Sequence, residues 1–103
     1  MVKNFKKDKL EIEINSNREE IGISSADYVE TIIKNILKEK NDIRIVFAAA
    51  PSQNEFLKYL ISKNIDWSKI TAFHMDEYIG LANNHDQLFS KYLDDRIFSK
   101  VPF

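Results

Sequence analysis

Ile70-Thr71-Ala72-Phe73-His74-Met75-Asp76-Glu77-Tyr78-Ile79-Gly80-Leu81 is the stretch whose reading decides the fold. Its first half is a mostly apolar run rich in β-formers, the pattern of a buried parallel strand covered on both faces. Carboxylates do not belong inside such a strand, so Asp76 and Glu77 mark its carboxyl end. In open α/β sheets ligands bind at that end. A solvated surface pair explains the same dipeptide and is its commoner cause, so the pattern alone leaves both readings open. In extended backbone the two side chains point to opposite faces. They are therefore not the converging carboxylates of a glycosidase, and one can line a crevice while the other anchors a loop.

A second unit precedes this one. Ile43, Ile45, Val46 and Phe47 begin a strand that ends in Ala48-Ala49-Ala50 and is stopped by Pro51. Ser52-Gln53-Asn54-Glu55 has capping-box spacing and opens a helix whose apolar residues are Phe56, Leu57, Tyr59, Leu60 and Ile61. Strand, small-residue turn and helix N-terminus together present free N–H groups and a positive dipole end, a ready anion site. A well-capped connection with no ligand reads the same way. Asn64 ends the helix, Trp67 plugs a short connection, and the chain returns to the stretch above. That makes a strand–helix–strand crossover of the length expected for parallel, right-handed pairing.

Nearer the start, Leu10, Ile12 and Ile14 alternate with Glu11 and Glu13, the signature of a half-buried edge strand. Ser16 with Glu19, or Asn17 with Glu20, supplies a capping box for a long helix over residues 18–40. Its expected apolar face is Ile21, Ser25, Tyr28, Val29, Ile32, Ile33, Ile36 and Leu37, with Gly22 and Ser24-Ser25 weakening the first third. After Leu81 a loop leads to a last helix starting near His85 or Asp86, with Phe89, Tyr92, Leu93 and Ile97 on one face.

At 103 residues the chain is at most one domain, small for an α/β one. An apolar share of 44% with seven Phe, four Tyr and one Trp argues for a packed core. A net charge of -1 gives no footprint for nucleic acid, and Lys3, Lys6, Lys7 and Lys9 read as a solvated end. No cysteine is present, which fits a reducing compartment. No apolar run reaches membrane-span length and no signal-peptide core follows the charged start. A soluble, cytoplasmic protein is expected, with neither membrane nor nucleic-acid partners.

The remaining candidates for chemistry are few. His74, inside the strand, fits a core histidine, and His85 fits either a ligand contact or a cap. Two histidines with no bracketing pattern do not make a metal site, so no metal is expected. The two glycines of the chain rule out a P-loop or a dinucleotide fingerprint. Ser52, between Pro51 and Gln53, is a poor nucleophile candidate, and there is no G-x-S-x-G elbow.

Phe73-His74-Met75-Asp76-Glu77-Tyr78-Ile79-Gly80-Leu81 resembles the F-N-M-D-E-Y-x-G-L segment of the glucosamine-6-phosphate deaminase family, departing only at His74. The likeness continues through His85 into the Phe89, Tyr92 and Phe98 helix. Upstream, Ala50-Pro51-Ser52-Gln53-Asn54 stands at the family's phosphate-binding turn, replacing the usual P-T-G-G-T-P. The full string sets the chain apart from the related 6-phosphogluconolactonases. The resemblance implies a Rossmann-like three-layer αβα fold with a parallel sheet. Residues 1–103 would be an incomplete N-terminal portion, about half, of a single domain. It implies isomerisation and deamination of an amino-sugar phosphate to fructose 6-phosphate and ammonia, with no cofactor. Asp76 would be the catalytic proton carrier, its basicity raised in a partly desolvated crevice. Ala50, Ser52, Gln53 and Asn54 would bind the sugar phosphate, with Glu77, Tyr78 and His85 lining the site. The family's D-G-H-I-A-F-N-E-P segment, which carries the ring-opening histidine, does not occur in this sequence. An inactive fragment is therefore expected, belonging to a protein that forms homo-oligomers when full length. The alternatives are a non-catalytic sugar-phosphate-binding module and a 6-phosphogluconolactonase-like hydrolase. A sheet cut short would expose an edge and an apolar face, so poor solubility is expected.

Overall fold

The structure is a computed structural model that describes residues 2–103. Ile43–Phe47 (β3) and Ile70–His74 (β4) pair in parallel, with Ile43 opposite Ile70 and Phe47 opposite His74. The helix between them, Asn54–Leu60 (α2), makes the crossover that parallel pairing requires. Side chains alternate along both strands, so Ile43, Ile45, Phe47, Ile70 and Ala72 face the core. Expected burial on both faces fails here. Val46 and Phe73 point the other way and are 59% and 49% exposed, beside Arg44 and Thr71. Among the described residues the helices pack on one face only, giving two layers.

Arg18–Leu37 (α1) starts as the spacing predicts. Asn17 Oδ1 accepts the Glu20 N–H, and the Glu20 carboxylate reaches back to the Ser16 N–H. Gly22 does not weaken this helix; it is where α1 meets α2. A Cβ built on Gly22 would lie 2.5 Å from Glu55 Cβ and 2.7 Å from the Glu55 carbonyl carbon. The buried stripe of α1 is accordingly Gly22, Ala26 and Ile33, with Val29 and Leu37 against it. Ile21, Tyr28 and Ile32, expected on the apolar face, are exposed, because α2 covers only the neighbouring stripe. Polar bonds from Lys63 to Asp27, and from Lys58 and Tyr59 to Glu19, close the crossing.

The core comprises Ala26, Ile33, Phe47, Leu57, Leu60, Ile65, Trp67, Ile70, Leu93 and Ile97. Trp67 is buried as expected of a plug, with Phe103 edge-on at 5.4 Å. Phe89–Leu93 (α3) begins later than His85 and runs into a π-helical turn, Asp94–Phe98, and Leu93 and Ile97 are both buried in the core. The lysine-rich start is a strand rather than a loose end. Lys3–Lys7 (β1) pairs antiparallel with Leu10–Ile14 (β2) through a two-residue turn at Asp8, whose φ of 54° a short polar side chain tolerates. This hairpin is separate from the parallel pair, and Leu10 and Ile14 are exposed. No helix among the described residues is long and apolar enough to cross a membrane.

Candidate functional site

The parallel register fixes which residues meet at the carboxyl edge. Phe47 is opposite His74, and the Met75 N–H donates to the Phe47 carbonyl at 2.9 Å. Ala48-Ala49-Ala50 and Asp76-Glu77 therefore leave the sheet side by side, where ligands bind in open α/β sheets.

The alanine turn is internally committed. Pro51–Gln53 forms a single 3₁₀ turn, in which the Gln53 N–H donates to Ala50 and the Asn54 N–H to Pro51. The Gln53 amide folds back onto the Ala48 carbonyl at 2.8 Å. The Tyr92 hydroxyl sits 2.6 Å from the Ala50 carbonyl and 2.7 Å from Asn54 Oδ1. A phenol has one proton to give. With the Asn54 amide turned end for end, its NH₂ donates to the phenol oxygen while the phenol donates to Ala50, and all three groups are satisfied. Burial there pushes the Tyr92 phenol up. The N–H groups and amides of Gln53 and Asn54 thus hold the turn in shape, leaving Ser52 as its exposed polar side chain. Nor does Glu55 act in a capping box. It pairs with Arg18 in a two-pronged contact, 2.9 Å on each arm, and that hydrogen-bonded guanidinium holds its carboxyl below the usual carboxylate range.

Arg18 is the residue the linear pattern does not reveal. Its guanidinium also donates to the Pro51 carbonyl at 2.8 Å, beside Ser52, and borders a groove of about 520 Å³ that includes Gln53, Phe56 and Ile21. As the first residue of a capped helix it reads as ordinary surface charge. No local spacing links it to a turn thirty-three residues on.

The two adjacent carboxylates divide sharply. Glu77 is partly buried and accepts three backbone N–H groups, from Tyr78 at 3.0 Å, Phe89 at 2.8 Å and Ser90 at 2.9 Å. Desolvation pushes its carboxyl up. The donors from Ser90, Phe89 and Tyr78 outweigh that and bring it down to about 2. His74 Nε2 is 3.7 Å from Glu77 Oε2, the oxygen that also accepts the Ser90 N–H. Asp76 is exposed, so the described residues do not supply the desolvated crevice expected around it. Tyr78 is half-exposed and lies against Phe89 at 4.8 Å. Gly80, with φ of 93°, takes a turn that other residues resist. His85 is exposed, and its Nδ1 accepts the Gln87 N–H, so the neutral ring carries its proton on Nε2. Among the described residues, no three His, Asp or Glu side chains gather as a metal site would need.

No family model matches the chain. It is 32% identical over 73 residues to a glucosamine-6-phosphate deaminase of Exiguobacterium sp., covering 71% of this chain and 29% of that protein. It is 35% identical over 99 residues to "Probable 6-phosphogluconolactonase 1" of Arabidopsis thaliana, covering 92% of this chain and 36% of that one. Among solved structures it superposes on a monomeric glucosamine-6-phosphate deaminase of the NagB superfamily with a TM-score of 0.72. That match has 25% identity and covers 84% of this chain and 36% of the other. The chain spans about a third of the length of the relatives it matches. Over the part it spans, the chain belongs to the superfamily of glucosamine-6-phosphate deaminases and 6-phosphogluconolactonases.

Proposed function

We propose that this chain is the part of a sugar-phosphate enzyme, of glucosamine-6-phosphate deaminase type, that carries the proton-transferring carboxylate and one wall of the phosphate site. The observation behind the proposal is the β3–β4 register, which brings Asp76 out of the sheet beside the turn that ends in Asn54. In the proposed reaction Asp76 takes the proton from C2 of the open-chain amino sugar and returns it at C1. The C2 imine this leaves takes up one water, whose oxygen becomes the C2 carbonyl, and the nitrogen departs as ammonia, giving the keto sugar phosphate. The substrate's own carbonyl or imine holds the electron pair in between, so no cofactor is called for. Ser52, with the Ala48–Asn54 turn behind it, is the proposed contact for the phosphate, and Arg18 adds a positive charge that Glu55 partly offsets.

A solvated carboxylate is a weak base near neutrality, and proton carriers are tuned by covering them. The proposal therefore includes a cover for Asp76 from outside this chain, together with a ring-opening histidine that neither His74 nor His85 replaces. The purified chain is expected to bind glucosamine 6-phosphate weakly and to release no fructose 6-phosphate. NMR titration with glucosamine 6-phosphate should move signals at Ser52 to Asn54, and Asp76→Asn should leave the affinity unchanged. Absence of any shift at these residues at millimolar sugar phosphate would sink the binding role. Turnover by the chain alone would overturn the expected inactivity. A second reading, lactone hydrolysis, is favoured by the longer match to the lactonase-named Arabidopsis protein. A longer protein containing this segment would support it by hydrolysing 6-phosphogluconolactone while leaving glucosamine 6-phosphate untouched.

A further inference from the structure

We infer that Glu77 is a positioning residue for Asp76: its side chain pins the chain immediately after Asp76, as the sheet pins it immediately before. On the near side, the Met75 N–H is bound to the Phe47 carbonyl at 2.9 Å, the last rung of the parallel ladder. On the far side, the Glu77 carboxylate spans to the Phe89 and Ser90 N–H groups at 2.8 and 2.9 Å, twelve and thirteen residues along. Asp76 is the single residue between the two anchors.

The need for a distant carboxylate comes from the sequence of α3. Its N-cap position is Leu88, which has no acceptor, and the helix has no side-chain cap of its own. Its first N–H groups would be left without partners, since the first turn of a helix has none within the helix. Leu88 is buried instead, filling space where a polar cap would stand. Glu77 supplies the missing acceptor from the strand end. Both of its oxygens are engaged, Oε1 with Phe89 and Tyr78 and Oε2 with Ser90. One contact therefore caps a helix, closes the loop of residues 78–87 and fixes the turn at Asp76. Without it, the backbone from Asp76 to the buried Leu88 would be an exposed loop tied to the sheet at one end only. A carboxylate that must meet two carbons of one substrate gains from a fixed backbone, because small misplacements cost large factors in rate. Glu77 is therefore unavailable as a substrate contact, and its part in the site is exerted through its neighbour.

This inference rests on the reading of Asp76 as the proton carrier, yet its test needs no sugar phosphate. Nitrogen-15 relaxation on the chain, its Glu77→Ala variant and its Glu77→Gln variant measures backbone order residue by residue. The native chain is expected to give Asp76 an order parameter near that of rigid backbone, about 0.85, and the alanine variant one below about 0.6, with Met75 unchanged. Glutamine keeps one acceptor oxygen and should fall between, so a well-folded variant is available if alanine unfolds the chain. A contact that only staples α3 would loosen Phe89 and Ser90 and leave Asp76 as ordered as before; that result overturns the inference. Glucosamine 6-phosphate added to the same samples separates the two claims. A native chain that fails to bind it while Asp76 responds to Glu77 refutes the functional reading and upholds the positioning role.

Discussion

Replacing Gly22 by alanine is expected to destabilise the protein, against the usual effect of that substitution in a helix. Removing a glycine from a helix interior normally gains about 0.5–1 kcal/mol, because the unfolded chain loses freedom. At Gly22 the added Cβ meets Glu55 Cβ at 2.5 Å and the Glu55 carbonyl carbon at 2.7 Å. Carbon atoms pack comfortably at about 3.5–4.0 Å, so α1 and α2 must part by on the order of 1 Å at the crossing. The atoms met belong to the Cβ and backbone of Glu55, which no change of rotamer can move aside. Overpacking of this kind costs about 1–3 kcal/mol, which exceeds the propensity gain. The net loss should be about 1–2 kcal/mol, or a Tm lower by roughly 5–15 °C for a chain of this size. Urea unfolding followed by far-ultraviolet circular dichroism measures it, with Asn35→Ala on the exposed side of the same helix as the control. That control should be neutral or slightly stabilising. A Gly22→Ala protein as stable as the native one would refute the close approach of the two helices.

Asn17→Ala removes the acceptor for the Glu20 N–H and should cost about 1 kcal/mol in thermal or urea unfolding; no measurable loss would contradict the cap. Tyr92→Phe should cost about 1 kcal/mol and speed hydrogen exchange at the Gln53 amide, because the turn at Ala50 loses its tie to α3. Glu77, held down at about 2, makes the clamp acid-resistant. Its contribution to stability is complete above the ordinary carboxylate value of 4.5 and is lost as pH falls through about 2. The Phe89 and Ser90 amide signals should thus titrate near the lower value, and a midpoint near 4.5 would disprove the clamp.

What the sequence makes legible is whatever repeats locally. The 3.6-residue pattern of α1, the Asn17–Glu20 cap and the strand–helix–strand order of residues 43–74 all follow from neighbours in the chain. That order is enough to bring Asp76 and the alanine turn to one edge. Contacts between distant residues leave no such mark. Gly22 looks like a weak point until Glu55, thirty-three residues away, is packed against it. Arg18 looks like surface charge until Pro51 and Glu55 are beside it. The Ser52–Glu55 spacing suggests a capping box, but the Arg18 fork competes for the same carboxylate and wins. Lys3–Lys7 has no apolar alternation, so its strand is induced by pairing with Leu10–Ile14 rather than by its own pattern. The likeness to 6-phosphogluconolactonases is broader than the string at residues 73–81 suggests, since the Arabidopsis relative matches 92% of this chain.

Asp76 is flanked by two backbone ties and is yet exposed. Both ties, a ladder bond at Met75 and a clamp at Glu77, are contacts with distant residues that this chain itself supplies. Environment is set by what packs around a group, which requires a second body of structure. The uncovered sheet face with Val46 and Phe73 and the bare loop with Met75 and Ile79 lack the same thing, an apolar surface laid over them. Covering that face would remove exposed apolar area, and a body of structure that also reached round the strand end would take water away from Asp76. The 103 residues therefore hold the backbone on both sides of Asp76, while a cover over its side chain depends on contacts these residues do not make.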